Sequence, residues 1–211
     1  MSGQDKLTLY GTHLSLPSCR VALMLSLCGA KYDYFHIDLM AGAQKLPTFL
    51  AKNRFGQVPV LDHNGKFVCQ SAVILSYLAD LFGKFQGQTA EEKLHIDEWL
   101  FWDQDRLANS VGTTRVLTRF FPVDPAVVVW AKARGEQGLD QLESHLKTNE
   151  YLVGGRPTVA DVASYVWVAT CEEGGFSLET RPHVAAWAGK IKALPGSGHP
   201  YDVIPKADKA A

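Results

Sequence analysis

The stretch from Gln57 to Leu75 constrains the fold of this chain more than any other part of it. Asn64-Gly65 stands between two short apolar runs, and this pair is the strongest local signal for a β-hairpin. After Ser71 the apolar residues change to a helical spacing, which predicts a helix that begins there. The sequence therefore predicts a strand, a tight turn, a second strand and a helix in direct succession.

Polar groups in this stretch are placed where a small anion could bind. Pro59 lies inside the first apolar run, and a proline is unexpected in a paired strand. A cis Val58–Pro59 bond would remove the conflict and present the Val58 backbone to a ligand. Gln70 and Ser71 stand at the predicted helix N-terminus, where backbone N–H groups and the helix dipole favour a carboxylate. We therefore predict a binding edge here.

Composition excludes several classes of function for these 211 residues. The formal net charge of -1 argues against a nucleic-acid binder, which needs a basic face. No run approaches the roughly 18 apolar residues that span a bilayer, and the polar start lacks the apolar core of a signal peptide. The four cysteines are scattered without a CxxC pair, which suits a reducing compartment. We expect a soluble cytoplasmic protein that binds neither nucleic acid nor membrane.

The chain changes character after about residue 82. Residues 1–82 follow the order β-α-β-(loop/helix)-β-β-α, which is an open α/β layout. Residues 83–89 are a plausible linker, and residues 90–211 show helical patterns. Pro125 suits the first turn of a helix that contains the Val127–Val129 run.

Three predictions concern the end of the chain. Thr158 and Asp161 form a capping-box pattern before an apolar run, so both are expected to be structural. A helix from Pro182 to Leu194 should follow, with core candidates Ala185, Ala186, Trp187 and Ile191. The tail from residue 206 to residue 211 is small and polar, and we expect it to be frayed.

Two segments resemble the glutathione transferase superfamily: Asn53–Leu61 and Gln70–Ile74. In that family the first segment holds a cis-proline and the cysteinyl site, and the second holds the γ-glutamyl site. Arg54 departs from the usual proline, and Gln70 is an accepted alternative to glutamate. The resemblance covers nearly the whole chain. It implies a thioredoxin-like α/β N-terminal domain followed by an all-α C-terminal domain, as in cytosolic glutathione transferases.

Ser15 resembles the catalytic serine of the phi and theta classes, because it lies four residues after Gly11 and five before Arg20. A hydroxyl donor at a helix N-terminus favours a thiolate over a thiol. An N-cap role for Ser15 is compatible with this function. The neighbours Thr12, His13 and Ser18 remain alternative donors to sulfur. We expect Tyr10 to pack in the core and Cys19 to be a buried, inert thiol, which disfavours a mixed-disulfide mechanism.

The resemblance also implies residues that bind glutathione. Lys45 aligns with the family's basic residue for the glycyl carboxylate, with Gln44 beside it. Gln57 and Val58 would contact the glycine and cysteine parts, whereas Gln70 and Ser71 would hold the γ-glutamyl end. Asp105 aligns with an acidic residue that in the theta class reaches the glutathione amine of the partner subunit, and an exposed helix carboxylate is an equally good interpretation. The seven histidines show no metal-ligand spacing, so we expect no metal.

The leading interpretation is a dimeric, serine-type glutathione transferase of a bacterial kind, with glutathione as co-substrate and a role in detoxification. It would conjugate the thiolate to a hydrophobic electrophile. About half of six second-domain residues are expected to line the electrophile pocket: Phe101, Trp102, Arg106, Arg115, Phe120 and Phe121. Two alternatives are a glutathione-dependent peroxidase or disulfide reductase, and a non-catalytic binding module with the same fold.

Overall fold

The chain divides into two structural units, one of which contains both ends of the described sequence. The computed structural model describes residues 6–121 and 123–210. The first unit contains the described residues up to Gly83 together with the segment from Pro195 onward, and the second unit is Lys84–Leu194. This division differs from the one drawn from sequence, which assigned everything after residue 89 to the second domain. The segment from Pro195 instead packs with the first unit.

A four-stranded mixed sheet forms the centre of the first unit. Its strands are Leu7–Gly11 (β1), Asp33–His36 (β2), Val60–His63 (β3) and Lys66–Cys69 (β4). They lie in the order β2-β1-β3-β4: β1 pairs in parallel with β2 and antiparallel with β3, and β3 pairs antiparallel with β4. The predicted hairpin is confirmed, and both turn residues have positive φ, 54° at Asn64 and 88° at Gly65, as this tight turn requires.

Helices complete the first unit. They are α1 (Leu16–Cys28), α2 (Pro47–Leu50, after a 3₁₀ turn at Ala43–Lys45), α3 (Ser71–Phe82) and α9 (Pro200–Val203). α1 is buried along nearly its whole length, and Gly29 follows it as the C-cap, where a left-handed φ of 70° lets its N–H cap the last turn. α1 packs against α3 and α9, so it fills the space beside the sheet. The predicted α/β layout is confirmed.

The tail is held against the sheet, so the expectation that it is frayed is wrong for its described part. Tyr34 N donates to Lys209 O at 2.7 Å, and Lys209 N donates to Tyr34 O at 2.9 Å. Asp208 adds an acceptor, because its Oδ1 takes a hydrogen bond from His36 N at 2.7 Å. The edge of β2 offers unpaired backbone groups that a polar segment can satisfy, whereas a reading of side-chain polarity alone misses them. Ala211 lies outside the described residues.

The second unit is helical, as predicted. Its helices are α4 (Ala90–Asp103), α5 (Thr113–Arg119), α6 (Pro125–Leu146), α7 (Val159–Val168) and α8 (Pro182–Lys192), with a 3₁₀ turn at Cys171–Gly174. Pro125 occupies the first turn of α6, and the Val127–Val129 run is helical rather than extended. Between α4 and α5 the chain keeps turning through a π-helical stretch at Gln104–Gly112. Across residues 6–121 and 123–210, no helix is long and apolar enough to cross a membrane.

The capping box at the start of α7 is confirmed. The Asp161 carboxylate accepts hydrogen bonds from Thr158 N at 2.8 Å and from Thr158 Oγ1 at 2.9 Å. It also accepts from Leu152 N at 3.0 Å and from Trp187 Nε1 at 2.8 Å. Because these groups are buried, Asp161 ties α7 to α8 and to the preceding loop, and its role is structural.

Two of the four core candidates in α8 are wrong. Trp187 and Ile191 are buried as predicted, but Ala185 and Ala186 are exposed. Val184 takes the place expected for them and is fully buried. The buried positions 184, 187 and 191 follow the helical spacing of three and four residues, and the two alanines fall on the opposite face.

Candidate functional site

Ser15 caps the N-terminus of α1. Its backbone is extended (φ −100°, ψ 108°), and its Oγ accepts a hydrogen bond from Ser18 N at 3.4 Å. Ser15 N donates to Thr12 O at 3.1 Å, which fixes the loop after β1. The side chain is half-buried. Because Ser15 Oγ acts as an acceptor toward Ser18, its own O–H remains available as a donor.

The neighbours of Ser15 are less suited to donate to a ligand. Thr12 and Ser18 are buried, and Thr12 Oγ1 accepts from Leu14 N. Within the part of the chain that the structure describes, Ser18 Oγ has no hydrogen-bond partner. Cys19 is fully buried, and its thiol donates to His13 O at 3.6 Å. The prediction of a buried Cys19 is confirmed.

Two aromatic side chains flank this loop. The His13 ring stacks on His36 with centroids 5.8 Å apart, and burial, together with His36 and Lys206, lowers the pKa of His13. Tyr10 is half-buried, and its ring stacks on Phe35 at 5.3 Å. Burial raises the pKa of Tyr10, and Asp62 and Asp33 add to the shift. The Tyr10 ring is thus engaged by Phe35, which lies opposite it on the neighbouring strand β2.

Asn53 organises the loop that precedes β3. It is buried, and its Nδ2 donates to Gln57 O at 2.6 Å while its Oδ1 accepts from Phe55 N at 3.0 Å. Its own carbonyl accepts from Gly56 N at 2.9 Å. The side chain and the carbonyl of Asn53 thus hold the loop from Phe55 to Gln57. The Gln57 side chain is exposed.

The Val58–Pro59 peptide bond is cis, as predicted. Val58 precedes β3, which begins at Val60 and pairs with β1 from that residue onward. The N–H and C=O of Val58 therefore lie outside the sheet ladder. A backbone strand edge in this position can pair with an extended peptide.

Gln70 and Ser71 begin α3. Gln70 is the N-cap with φ 70° and ψ 114°, a conformation that non-glycine residues rarely adopt and that clusters at functional sites. Its side chain is exposed. Ser71 is nearly buried, and its Oγ accepts two hydrogen bonds from Arg20, from Nε at 2.9 Å and from Nη2 at 2.6 Å.

The topology of the sheet brings these residues to one end of the first unit. Tyr10 near the end of β1 pairs with Val60 at the start of β3, and Val60 pairs with Cys69 at the end of β4. The Ser15 loop follows β1, Val58 precedes β3, and Gln70-Ser71 follow β4. All three segments therefore leave the sheet at the same end.

Lys45 is connected to this end through Gly56. Its Nζ donates to Gly56 O at 3.1 Å, while the rest of the side chain is exposed. Asp105 lies elsewhere, in the π-helical stretch of the second unit. Its carboxylate is exposed and accepts from Arg134 Nη2 and from Arg106 Nε, each at 3.0 Å. The interpretation of Asp105 as an exposed carboxylate fits this placement.

The second-unit residues predicted to line the electrophile pocket differ in exposure. Phe101 and Phe121 are exposed, at 80% and 55%. Arg115 is buried and donates to Glu173 at 2.7 Å, and its guanidinium also lies 5.4 Å from the centroid of the Phe120 ring. Arg115 is thus engaged within its own unit, which favours a structural role for it.

Two residues of this end were not predicted as site residues. Asn53 served only to fix the register of a motif, and Arg20 only to fix the spacing from Ser15. The available signal was polarity: Arg20 is a charged residue directly before the apolar stretch Val21–Leu25 in a helix that is buried on nearly all sides. A buried arginine needs hydrogen-bond acceptors.

Comparisons with known proteins agree with this architecture. The family model described as "Glutathione S-transferase, N-terminal domain" matches residues 5–80, and the one described as "Glutathione S-transferase, C-terminal domain" matches residues 127–195. Glutathione S-transferase 3 of Zea mays is 30% identical over 212 residues, which cover 94% of this chain and 95% of the relative.

Two further relatives broaden the comparison. The crystal structure of a glutathione S-transferase from Xanthobacter autotrophicus superposes with a TM-score of 0.86 at 30% identity, covering 93% of this chain and 98% of that one. The disulfide-bond oxidoreductase YfcG of Escherichia coli is 25% identical over 187 residues, which cover 85% of this chain and 87% of the relative.

Proposed function

Because this chain belongs to the glutathione S-transferase family, we propose that it is a glutathione transferase that uses Ser15 to hold the glutathione sulfur as a thiolate. The thiolate would be joined to the electrophilic carbon of a hydrophobic small molecule. The single observation that carries the proposal is the meeting of the Ser15 loop, the Val58 backbone and the Gln70-Ser71 helix start at one end of the sheet.

The chemistry of Ser15 is thiolate stabilisation. A free thiol of this kind titrates at about 8.5, so a minority is ionised at neutral pH. The Ser15 O–H and the N-terminus of α1 both favour the anion. On ionisation the thiol proton leaves to solvent. The sulfur lone pair then forms the S–C bond, and the displaced electron pair departs with the leaving group or moves into an activated double bond. Ser15 forms no covalent bond.

The rest of the tripeptide would be held by its two carboxylates and its backbone. Val58 would pair with the cysteinyl part through its N–H and C=O. The Lys45 ammonium and Gln57 would receive the glycyl end, and Gln70 and Ser71 at the N-terminus of α3 would receive the γ-glutamyl end. Both carboxylates would then meet a positive charge or a helix N-terminus, which is the complementarity that binding a tripeptide with two carboxylates needs.

A second candidate, disulfide reduction with glutathione, is favoured by one observation: a relative over most of the chain is a disulfide-bond oxidoreductase. The same thiolate site could serve both reactions, since a thiolate attacks a disulfide sulfur as well as a carbon. Cys19 gives this candidate no protein thiol, because it is buried and bonded to His13 O. A reductase would therefore not use Cys19 as a second thiol.

We further propose a homodimer in the cytoplasm that serves detoxification, with Asp105 directed toward the glutathione of the partner subunit. Support for the location comes from the four cysteines, which form no disulfide in the described chain and so suit a reducing compartment. Support for the dimer comes from the family resemblance alone, and sedimentation of the purified chain would test it.

The experiment that tests the function is a titration of glutathione into the pure protein, with thiolate absorbance followed against pH. A transferase predicts saturable binding and a bound-thiol pKa well below the free value of about 8.5. Binding with an unshifted pKa would favour the reductase. Absence of binding by a folded protein would reject both and leave a non-catalytic module with this fold.

A further inference from the structure

A buried arginine holds the hydroxyl of Ser71. Arg20 lies in α1 and is 1% exposed, and its Nε and Nη2 both lie within hydrogen-bond distance of Ser71 Oγ, at 2.9 and 2.6 Å. Ser71 is the first residue of α3 and is 7% exposed. The contact joins residues 51 positions apart in sequence, so it is a tertiary feature of the first unit.

This geometry fixes the role of the hydroxyl. A serine oxygen has two acceptor sites and one O–H donor. The two guanidinium N–H groups of Arg20 occupy both acceptor sites, so Ser71 can only donate to any further partner. The positive charge behind the oxygen also polarises the O–H bond, which strengthens a hydrogen bond to an anion. Ser71 can therefore bind a group that accepts hydrogen bonds without donating any, and an ionised carboxylate is such a group.

We propose that Arg20 is a positioning residue that makes Ser71 a dedicated carboxylate donor, so that the site selects ligands with a carboxylate at the γ-glutamyl end. This inference rests on the proposed function, which assigns Ser71 to that end of glutathione. Arg20 lies behind Ser71, is almost fully buried and acts through the hydroxyl. Its contribution is a fixed proton direction on a neighbouring side chain.

The same helix thus serves the two ends of the ligand separately. Ser15 caps the first turn of α1 and is the residue proposed to face the thiol, whereas Arg20 lies one turn further along and reaches Ser71. Replacement of Arg20 should therefore weaken recognition of the carboxylate and leave the thiol pKa unchanged. A merely structural role would disturb both, because loss of α1 packing would also move the Ser15 loop.

The test compares three ligands on matched variants. The first is glutathione. The second is the analogue in which a 4-aminobutyryl group replaces the γ-glutamyl residue, so that the α-carboxylate is missing and the amine is kept. The third carries an amide in place of the α-carboxylate and also keeps the amine. We expect Arg20→Met to weaken glutathione binding about tenfold. Binding of the amide and of the aminobutyryl analogue should change less than about twofold, and the bound-thiol pKa should stay as in the wild type.

Matched variants separate positioning from packing. In a Ser71→Ala background, Arg20→Met should change glutathione affinity less than about twofold, because the two residues act as one unit. Arg20→Lys keeps the charge but loses the fork of two donors, so its affinity should fall between those of the wild type and Arg20→Met. Arg181→Lys is the control. Arg181 is also nearly buried, but it donates to Asp140 and Glu136 in the second unit. The ratio of the affinity for glutathione to the affinity for each analogue should therefore stay at the wild-type value.

Each outcome decides the proposal. Equal losses for glutathione and both analogues, or a shifted thiol pKa in a folded Arg20 variant, would overturn it and leave Arg20 a packing residue. If Arg20→Met does not fold, the same comparison is made with Arg20→Lys: a loss of affinity for glutathione alone supports the proposal, and equal losses for glutathione and both analogues overturn it. A folded wild type that binds no glutathione would overturn the proposed function together with this inference. A wild type that binds glutathione, with an Arg20→Met variant that loses affinity equally for glutathione and for both analogues, would overturn the inference alone.

Discussion

Lys45 Nζ lies 3.1 Å from the carbonyl oxygen of Gly56 and donates a hydrogen bond to it. The residue proposed for the glycyl carboxylate therefore also holds the loop that leads to the cis Val58–Pro59 bond. An ammonium carries three N–H donors, so this bond leaves two for a ligand. One side chain thus both holds this loop in place and offers a positive charge to the proposed ligand.

Gly56→Ala should damage this connection. Gly56 has φ 58°, and an added Cβ would lie 3.0 Å from Lys45 Nζ and 3.1 Å from both Gln44 O and Leu50 Cδ2. We expect a loss of about 1–2 kcal/mol in the free energy of unfolding from the left-handed backbone alone, and weaker glutathione binding. Urea denaturation and a glutathione titration would measure the two effects.

Gly65→Ala is the control for backbone strain. Gly65 also has positive φ, at 88°, but nothing lies within 4 Å of the added Cβ. Its loss of stability should be similar, while glutathione affinity should stay at the wild-type value. An equal fall in affinity for both variants would contradict the role given to the Lys45–Gly56 contact.

Ser15→Ala should raise the pKa of the thiol of bound glutathione by about 1 to 2 pH units, because the hydroxyl donor to the sulfur is removed. Affinity measured above that pKa should change little, since the peptide contacts remain. Thiolate absorbance against pH measures the first quantity, and calorimetry measures the second. Ser18→Ala is the matched control, because Ser18 Oγ is buried and without a hydrogen-bond partner among the described residues. A raised thiol pKa in Ser18→Ala, with none in Ser15→Ala, would reassign the donor.

Asp161→Ala should be among the most damaging changes in the second unit. It would leave the N–H groups of Leu152, Thr158 and Trp187 buried without an acceptor. We expect a loss of about 3 kcal/mol or more in the free energy of unfolding, since each unsatisfied donor costs about 1–3 kcal/mol. Thr158→Ala, which removes only the cap hydroxyl, should cost about 1 kcal/mol. Equal losses in chemical denaturation would argue against the central role of the carboxylate.

The pH dependence of stability should contain a contribution from His13. Burial, His36 and Lys206 lower its pKa in the folded chain, so the unfolded chain binds this proton more tightly. The stability it contributes is complete above the ordinary histidine pKa of about 6.5 and is lost as the pH falls through the lowered value. His13→Gln should therefore make the free energy of unfolding fall less steeply between about pH 7 and pH 5.

His95 should have the opposite effect on the pH dependence of the free energy of unfolding. Its hydrogen bond with Glu98, with a further contribution from Glu91, raises its pKa, so its stabilisation is present at low pH and lost as the pH rises through the raised value. His95→Gln should make the fall on acidification steeper. Chemical denaturation at several pH values measures both slopes, and a wild-type slope in His13→Gln would refute the assignment.

Local chemistry explains which parts of the fold were predictable. Asn64-Gly65 requires a turn with positive φ, and Pro59 inside a strand-like run requires an unusual bond, so the hairpin and the cis peptide follow from neighbouring residues. Asp161 at the third position after Thr158 is equally local. The family resemblance then supplied the candidate residues on the segments that these motifs begin.

Long-range contacts explain what was missed. Whether Arg20 reaches Ser71 depends on how α1 packs against α3, and no spacing within α1 contains that information. The same holds for Lys209, whose partner Tyr34 lies on a distant strand. In α8 the small alanines resembled core residues by composition, but the helix rotation set by Trp187 placed them outside.

The bonds from Lys209 and Asp208 to β2 also bear on how the protein behaves in a crowded solution. In an edge strand the N–H groups of alternate residues point outward, here those of Tyr34 and His36, and both are occupied. An exposed edge of this kind would offer a template on which a strand of another molecule could add. By covering this edge, the short polar segment prevents a strand of another molecule from pairing with β2. A version of the chain shortened before Asp208 would expose the edge and should aggregate more readily.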